Sequence, residues 1–358
     1  MQKVSDFFKR VGKFLWKHKW SALLIILALG VAGFFLWDSF SASNNISFDP
    51  LNLKKPKPAP TTVRAPLSGR MVSEEQAKRK LVAVVIENSP EARPQSGLND
   101  ASLVFETFAE GGITRFLVFF QENEPKEIGP VRSARAYFVK WATAYKALYA
   151  HVGGSSEAFD LIASLKTLDI NQFYFGNYFW RDTKRLAPHN VYTTLKKLYD
   201  AAKSKGYPVT DDAIPAFQFK DDAAEADRSS DFSFTVWFNN SFATTYTYSQ
   251  KDNAYYRSMS KVKQADKNTG AQVVAKNIIV AFTDFSYGTT RTGQQSTKIR
   301  VSGSGKITYF IDGMAKEGTW KAPNETTPMR FYDATGSELK LNAGTTWVEV
   351  VPTGTAVK

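Results

Sequence analysis

The sequence predicts a mixed α/β (α+β) body followed by a β-rich, mainly antiparallel part, all carried behind one N-terminal transmembrane helix. Three observations lead there. An uncharged apolar stretch follows a basic tail, strand-like and helix-like runs alternate between about residues 80 and 205, and β-branched and aromatic runs broken by Gly, Asn and Asp follow residue 230.

The tail, residues 1–20, sets Lys3, Lys9, Arg10, Lys13, Lys17 and Lys19 against Asp6, and residues 21–40 carry no charge except Asp38. About 20 apolar residues at ~1.5 Å each cross a ~30 Å hydrocarbon core as a helix. Cations flank one side only, so the positive-inside rule puts the tail in the cytoplasm and everything from residue 41 outside: a single-pass protein of the cell membrane. Ser41-Ala42-Ser43 also fits a small-x-small cleavage pattern. The apolar stretch exceeds the ~7–15 residues of a signal-peptide core, which favours a retained signal-anchor. Residues 41–75, containing Lys54-Lys55-Pro56-Lys57-Pro58-Ala59-Pro60, read as an extended linker that holds the rest off the bilayer.

None of the 358 residues is a cysteine, which excludes disulfides, thiolate metal sites, thiol nucleophiles and lipid attachment through a processed cysteine. The net charge of +12 is concentrated at the front: six cations against one acid in residues 1–20, eight against four in 21–80, and 32 against 29 in 81–358. A near-neutral body argues against a specific nucleic-acid partner. The basic linker suits anionic lipid or an anionic wall polymer.

An α/β domain is expected over 76–228 and a β-rich domain over 229–358. In the first, residues 81–86, 103–108 and 114–121 read as strands. Apolar spacing through Ala134, Phe138, Trp141, Tyr145 and Leu148 predicts a helix over 131–150, with further helices over 155–165 and 190–205. In the second, residues 232–238, 243–248, 277–282, 305–311 and 346–351 read as antiparallel strands.

Five motifs then occur in order: Arg93-Pro94-Gln95-Ser96-Gly97-Leu98, Ala109-Glu110-Gly111-Gly112-Ile113-Thr114-Arg115-Phe116, Gly129-Pro130-Val131-Arg132-Ser133-Ala134-Arg135, His151-Val152-Gly153-Gly154-Ser155 and Pro188-His189-Asn190-Val191-Tyr192-Thr193. With Gly318-Thr319-Trp320 and Thr346-Trp347-Val348-Glu349-Val350-Val351-Pro352 further on, they resemble the YerB-like family of bacterial envelope proteins, many of them lipoproteins. The resemblance covers roughly residues 80–353 and implies a two-domain envelope protein without assigning it any chemistry. The lipoprotein members' cysteine is missing here, so a membrane helix would take the lipid's place.

Glu87, Glu106 and Glu110 fall at the ends of predicted strands or in the turns after them, where open α/β sheets place their sites. A carboxylate pair would serve as acid and base for glycan cleavage; salt-bridged structural acids are the alternative. Arg115, Arg132 and Arg135 offer bidentate forks to an anion, or pair with Glu106 and Glu110 to hold the fold. His151 and His189 suit proton transfer or hydrogen bonding to a ligand, and no H-x-x-x-H spacing supports metal. Ser155 lacks a G-x-S-x-G elbow and reads as a helix cap, while Gly153, Gly154 and Ser155 would also present backbone amides to an anion. The aromatic run from Phe173 to Trp180 is assigned to the core, with glycan stacking as the alternative.

Two function classes follow. The first is a binding or scaffolding module for a cell-wall or anionic ligand or an envelope protein partner, with Arg115, Arg132, Ser133, Arg135, Gly153, Gly154, Ser155 and Asn190 holding the ligand. The second is a hydrolase or lyase acting on cell-wall glycan such as peptidoglycan, with Glu106, Glu110, His151 and His189 in catalysis. Neither calls for a cofactor or metal, since P-loop and dinucleotide fingerprints are missing. One cleft in the first domain is expected to gather these residues.

Overall fold

The computed structural model describes residues 5, 9, 10, 28–34, 36, 37, 61–293 and 295–358. The chain divides into two units, residues 1–59 and 60–358. In the first, residues 28–34 and 36–37 are helical, and among the described residues no helix is long and apolar enough to cross a membrane. Most of the span expected over 21–40 lies outside the described residues.

The second unit is built on one ten-stranded sheet that takes strands from both expected domains. From the first come β1 (Val82–Glu87), β2 (Leu103–Phe108), β3 (Thr114–Phe120), β4 (Leu148–His151) and β5 (Leu168–Asn171). In the second, β6 (Phe232–Trp237), β7 (Ala243–Ser249) and β8 (Ala254–Met259) form a separate antiparallel sheet. β9 (Asn277–Thr283) returns to the large sheet, and β10 (Phe285–Thr289) and β11 (Gln295–Ile299) form a hairpin of their own. β12 (Gly303–Ile311), β13 (Met314–Ala322), β14 (Arg330–Asp333) and β15 (Thr346–Pro352) complete the large sheet, in the order β14-β13-β12-β9-β15-β2-β3-β1-β4-β5. The last strand is the seam: β15 lies parallel to β9 on one side and to β2 on the other, with Glu349 opposite Glu106.

Three longer helices, α1 (Ala136–Ala144), α2 (Ser156–Ser164) and α3 (Leu195–Ser204), all belong to the first half, and beyond α3 the described residues contain no α-helix. The β-rich character of the C-terminal part is therefore as expected, but residues 346–351, expected to be antiparallel, form a strand parallel to both its neighbours, because β15 enters the middle of the sheet between β9 and β2. Alternation along each strand feeds two cores. Val84, Ile86, Val104, Phe116, Val280 and Trp347 pack with Leu198 of α3 and with Phe234, Tyr246 and Tyr255 of the smaller sheet. Val85, Phe105, Leu117, Ile279, Val348 and Val350 face Phe138 and Trp141 of α1, and Phe105 stacks on Trp141 at 4.8 Å. Each such side chain contributes about 1.5–3 kcal/mol by leaving water.

Three expectations are corrected. The helix expected over 131–150 stops at Ala144, because Lys146 adopts a left-handed backbone (φ 53°) and the apolar residues after it become β4. The helix expected over 190–205 begins only at Leu195, capped by Thr194, while Val191–Tyr192 pairs with Trp180–Arg181. The linker expected to reach residue 75 is folded from residue 62: Thr62–Arg64 pairs with Met71–Ser73, Ala65 and Leu67 are fully buried, and Arg70 reaches Glu122 at 2.8 Å. Ala65, Leu67 and Val72 go inward, while Met71 stays 57% exposed.

Candidate functional site

β1, β2, β4 and β5 all point their carboxyl ends to one edge, since β1 is parallel to β4 and both β1 and β2 are antiparallel to β3. Ligands of α/β sheets bind outside such an edge. Here a strap, residues 130–134, crosses it. Glu87 N donates to Pro130 O (3.0 Å), Arg132 N to Val85 O (2.8 Å), Val152 N to Arg132 O (3.0 Å) and Ala134 N to Gly153 O (2.9 Å). Gly154 permits the approach, since a Cβ there would meet Ala134 Cβ at 3.0 Å.

The strap holds Arg132 over the end of β1. Glu87, the last residue of that strand, is buried and divides its carboxylate: Oε1 lies 3.0 Å from Arg132 Nε and Oε2 2.8 Å from His189 Nδ1. Arg132 and His189 keep about a fifth of their side-chain surface exposed (22% and 21%), so a buried acid pairs with a guanidinium and an imidazole that reach the solvent boundary. Ser89 Oγ also approaches His189 Nδ1, at 3.3 Å. A nucleophilic triad needs its serine and its acid on opposite ring nitrogens, whereas here both meet Nδ1. Glu87 fixes the proton on Nδ1 and leaves Nε2 for a ligand.

Beside this cluster, Glu110 accepts from Arg135 through both its oxygens, with Arg135 Nη2 at 2.6 Å from Oε2, and Arg115 Nη1 lies 3.9 Å from Oε2. Burial alone would raise the Glu110 pKa, but Arg135 and Arg115 hold it below the usual range. Burial, reinforced by Arg135, pushes the Arg115 guanidinium down to about 10. These arginines follow the fold-holding alternative for Glu110.

His151 is fully buried, with Nδ1 2.7 Å from Gly153 O and Nε2 2.6 Å from Asp169 Oδ1, so neither nitrogen is left for a ligand. Ser155 caps α2, accepting from Ala158 N at 3.2 Å. Gly153 N donates to Asn171 Oδ1 at 3.1 Å. Asn190 ties its own loop, accepting from Arg181 and donating to Asp182 O and Arg185 O. Ser133 sits in the strap between Arg132 and the Gly153 contact.

Glu106 points to the opposite face of the sheet and has no exposure. Arg257, equally buried, donates to it, and the Arg257 guanidinium lies over Trp347 (4.5 Å) and Phe116 (5.3 Å). Asn88 Nδ2 adds a hydrogen bond to Glu106 at 3.2 Å. Glu349 accepts from the Tyr246 hydroxyl, and burial together with Glu106 raises its pKa well above the usual range. This acid–arginine–acid cluster ties the two domains at the seam. Sequence reasoning passed over Arg257, Tyr246 and Glu349; the one available signal was an acid on the inward register of the apolar run Thr346–Val351.

The expected single cleft is therefore not formed. Glu87, Arg132 and His189 converge at the edge, Glu110, Arg115 and Arg135 form a neighbouring cluster, and His151 and Glu106 are buried in separate ones. Glycan cleavage needs one protonated and one ionised carboxyl across the bond; Glu106 is out of reach, and Glu110 is held ionised. The aromatic run from Phe173 is also not wholly core: Phe173 (66% exposed) and Tyr174 (80%) face solvent, and Phe173 lies 3.0 Å from where a Cβ on Gly153 would sit. Among the described residues no group of three or more His, Asp or Glu could hold a metal ion.

Residues 67–208 match the family described as "Protein of unknown function (DUF3048) N-terminal domain", and residues 234–348 match its C-terminal domain. The chain is 34% identical over 293 residues to the Bacillus subtilis protein named "Putative lipoprotein YerB", covering 81% of this chain and 86% of that one. The crystal structure of Bacillus subtilis YerB superposes with a TM-score of 0.73 at 32% identity, covering 83% of this chain and 99% of the other. With both domain models matched in order and a relative at this identity across most of its length, the chain belongs to the YerB-like DUF3048 family.

Proposed function

We propose that this protein is a membrane-anchored, extracytoplasmic envelope protein that binds a polyanionic wall polymer at the carboxyl edge of its sheet. The observation that carries the binding site is the Glu87–Arg132–His189 cluster: a buried carboxylate orients one guanidinium and one imidazole, and both keep a face toward solvent. Such forks suit phosphate oxygens, and preorganisation lowers the cost of binding them. The exposed aromatics Phe173 and Tyr174 border the same end of the sheet and would cover the polymer's carbon backbone.

The envelope location draws on the relative's name as a lipoprotein and on the basic tail of this chain. The anchor itself is the apolar segment, single-pass with its N-terminus in the cytoplasm, and Leu29, Val31 and Leu36 expose their side chains on its helical part. Protease added to intact protoplasts should digest the chain beyond residue 61, and full protection would overturn the topology. For the site, the full chain in phospholipid nanodiscs is titrated with poly(glycerol phosphate). Saturable binding that weakens as salt rises is expected, with none for neutral dextran; equal affinity for both polymers would overturn the reading.

A further inference from the structure

A second cleft lies beyond the Glu110 cluster, between the two domains of the folded unit. Its walls are the turn after β2, the end of β6 and the β10–β11 hairpin, and it encloses about 490 Å³, within the size range of small-ligand sites. Phe108 and Phe238 meet edge to face at 5.2 Å and form an apolar floor. Tyr287 stands at the rim, 69% exposed. Gly111 (φ 66°) and Gly288 have open space where a Cβ would be, so bare backbone faces the cleft from both sides. Gln295 and Ser296 add hydrogen-bonding side chains.

The charge pattern separates this cleft from the edge. Its described lining holds no lysine or arginine, and its single ionised group, Glu110, is bound by Arg135. An anion would find no counter-charge there. A sugar ring presents an apolar face for an aromatic side chain and a polar rim for amides and hydroxyls. An N-acetyl substituent adds a methyl, which suits the phenylalanine floor, and an amide, which suits Gln295 and the exposed glycine backbone.

We infer that this cleft binds an N-acetylhexosamine glycan, with Tyr287 stacking on a ring. The test is isothermal titration of the full chain in phospholipid nanodiscs with triacetylchitotriose. The wild type should bind saturably. Tyr287→Ala should weaken binding about tenfold, and Gln295→Ala, which removes an amide from the same face of the hairpin as Tyr287, should weaken it as well. Both variants should keep the wild-type melting temperature, and Arg132→Ala should bind this glycan normally, which keeps the inference distinguishable from the polyanion site. No saturable binding by the wild type, or undiminished binding by Tyr287→Ala, would overturn it.

Discussion

The edge and the seam use the same ingredients to opposite ends. At the edge Glu87 holds Arg132 with a fifth of the arginine side chain in water; at the seam Glu106 holds Arg257 with neither exposed. A partly solvated arginine can exchange water for a ligand's oxygens. A dry one is committed, because removing it strands the Glu106 carboxylate in an apolar interior. What separates the two arginines here is the face of the sheet to which the register turns the acid each one meets, Glu87 or Glu106, not the motif around it.

Substitutions that swap these roles would break the comparison. Arg257→Met should produce the largest loss of stability, about 3–5 kcal/mol in urea unfolding, since the fully buried Glu106 loses the guanidinium that donates to it; a loss comparable to that of a surface arginine would show that the seam is hydrated.

Glu349→Gln tests the same cluster through pH. Because burial raises the folded-state pKa of Glu349, its favourable contribution is complete below the unfolded value of about 4.3 and is lost as pH rises through the folded value. The stability of the wild type minus that of the Gln variant should therefore fall on going from acid toward neutral and alkaline pH. A difference independent of pH would contradict a proton held on Glu349.

At the edge, Arg132→Ala should cost only about 1 kcal/mol, because water replaces much of what the side chain gave. Arg64, paired with an Asp221 that is 94% exposed, sets the floor of the series: Arg64→Ala should change stability by less than about 0.5 kcal/mol. The order Arg257, Arg132, Arg64 is the prediction, and any inversion would refute exposure as the deciding variable.

Much of the fold was legible because it depends on local patterning. The apolar runs that became β1, β2, β3 and β9 have the composition of buried strands, and the Ser155 cap of α2 follows from a serine ahead of helical spacing. β4 was read as helix because its four residues continue the apolar rhythm of α1, and only the left-handed Lys146 marks the break. The site was legible as a set of motifs and not as a geometry. Arg132 and His189 lie 57 positions apart and meet only through Glu87, and the seam joins Glu106 to Arg257 and Glu349 through a strand order in which the last strand enters the middle of the sheet. Long-range pairing of that kind leaves no periodic trace. The extra strand pair at residues 62–73 went unseen for a related reason: three buried apolar residues, Ala65, Leu67 and Val72, in a short stretch broken by Pro66, Gly69 and two arginines carry too little pattern.

The central claim is that Arg132 binds and Arg257 builds. Its most direct test measures, for Arg132→Ala in the full chain, the affinity for poly(glycerol phosphate) and the melting temperature on the same sample. The account predicts an affinity at least tenfold weaker at low salt with a melting temperature close to that of the wild type. Wild-type affinity, or a melting temperature lowered as far as in Arg257→Met, would contradict it.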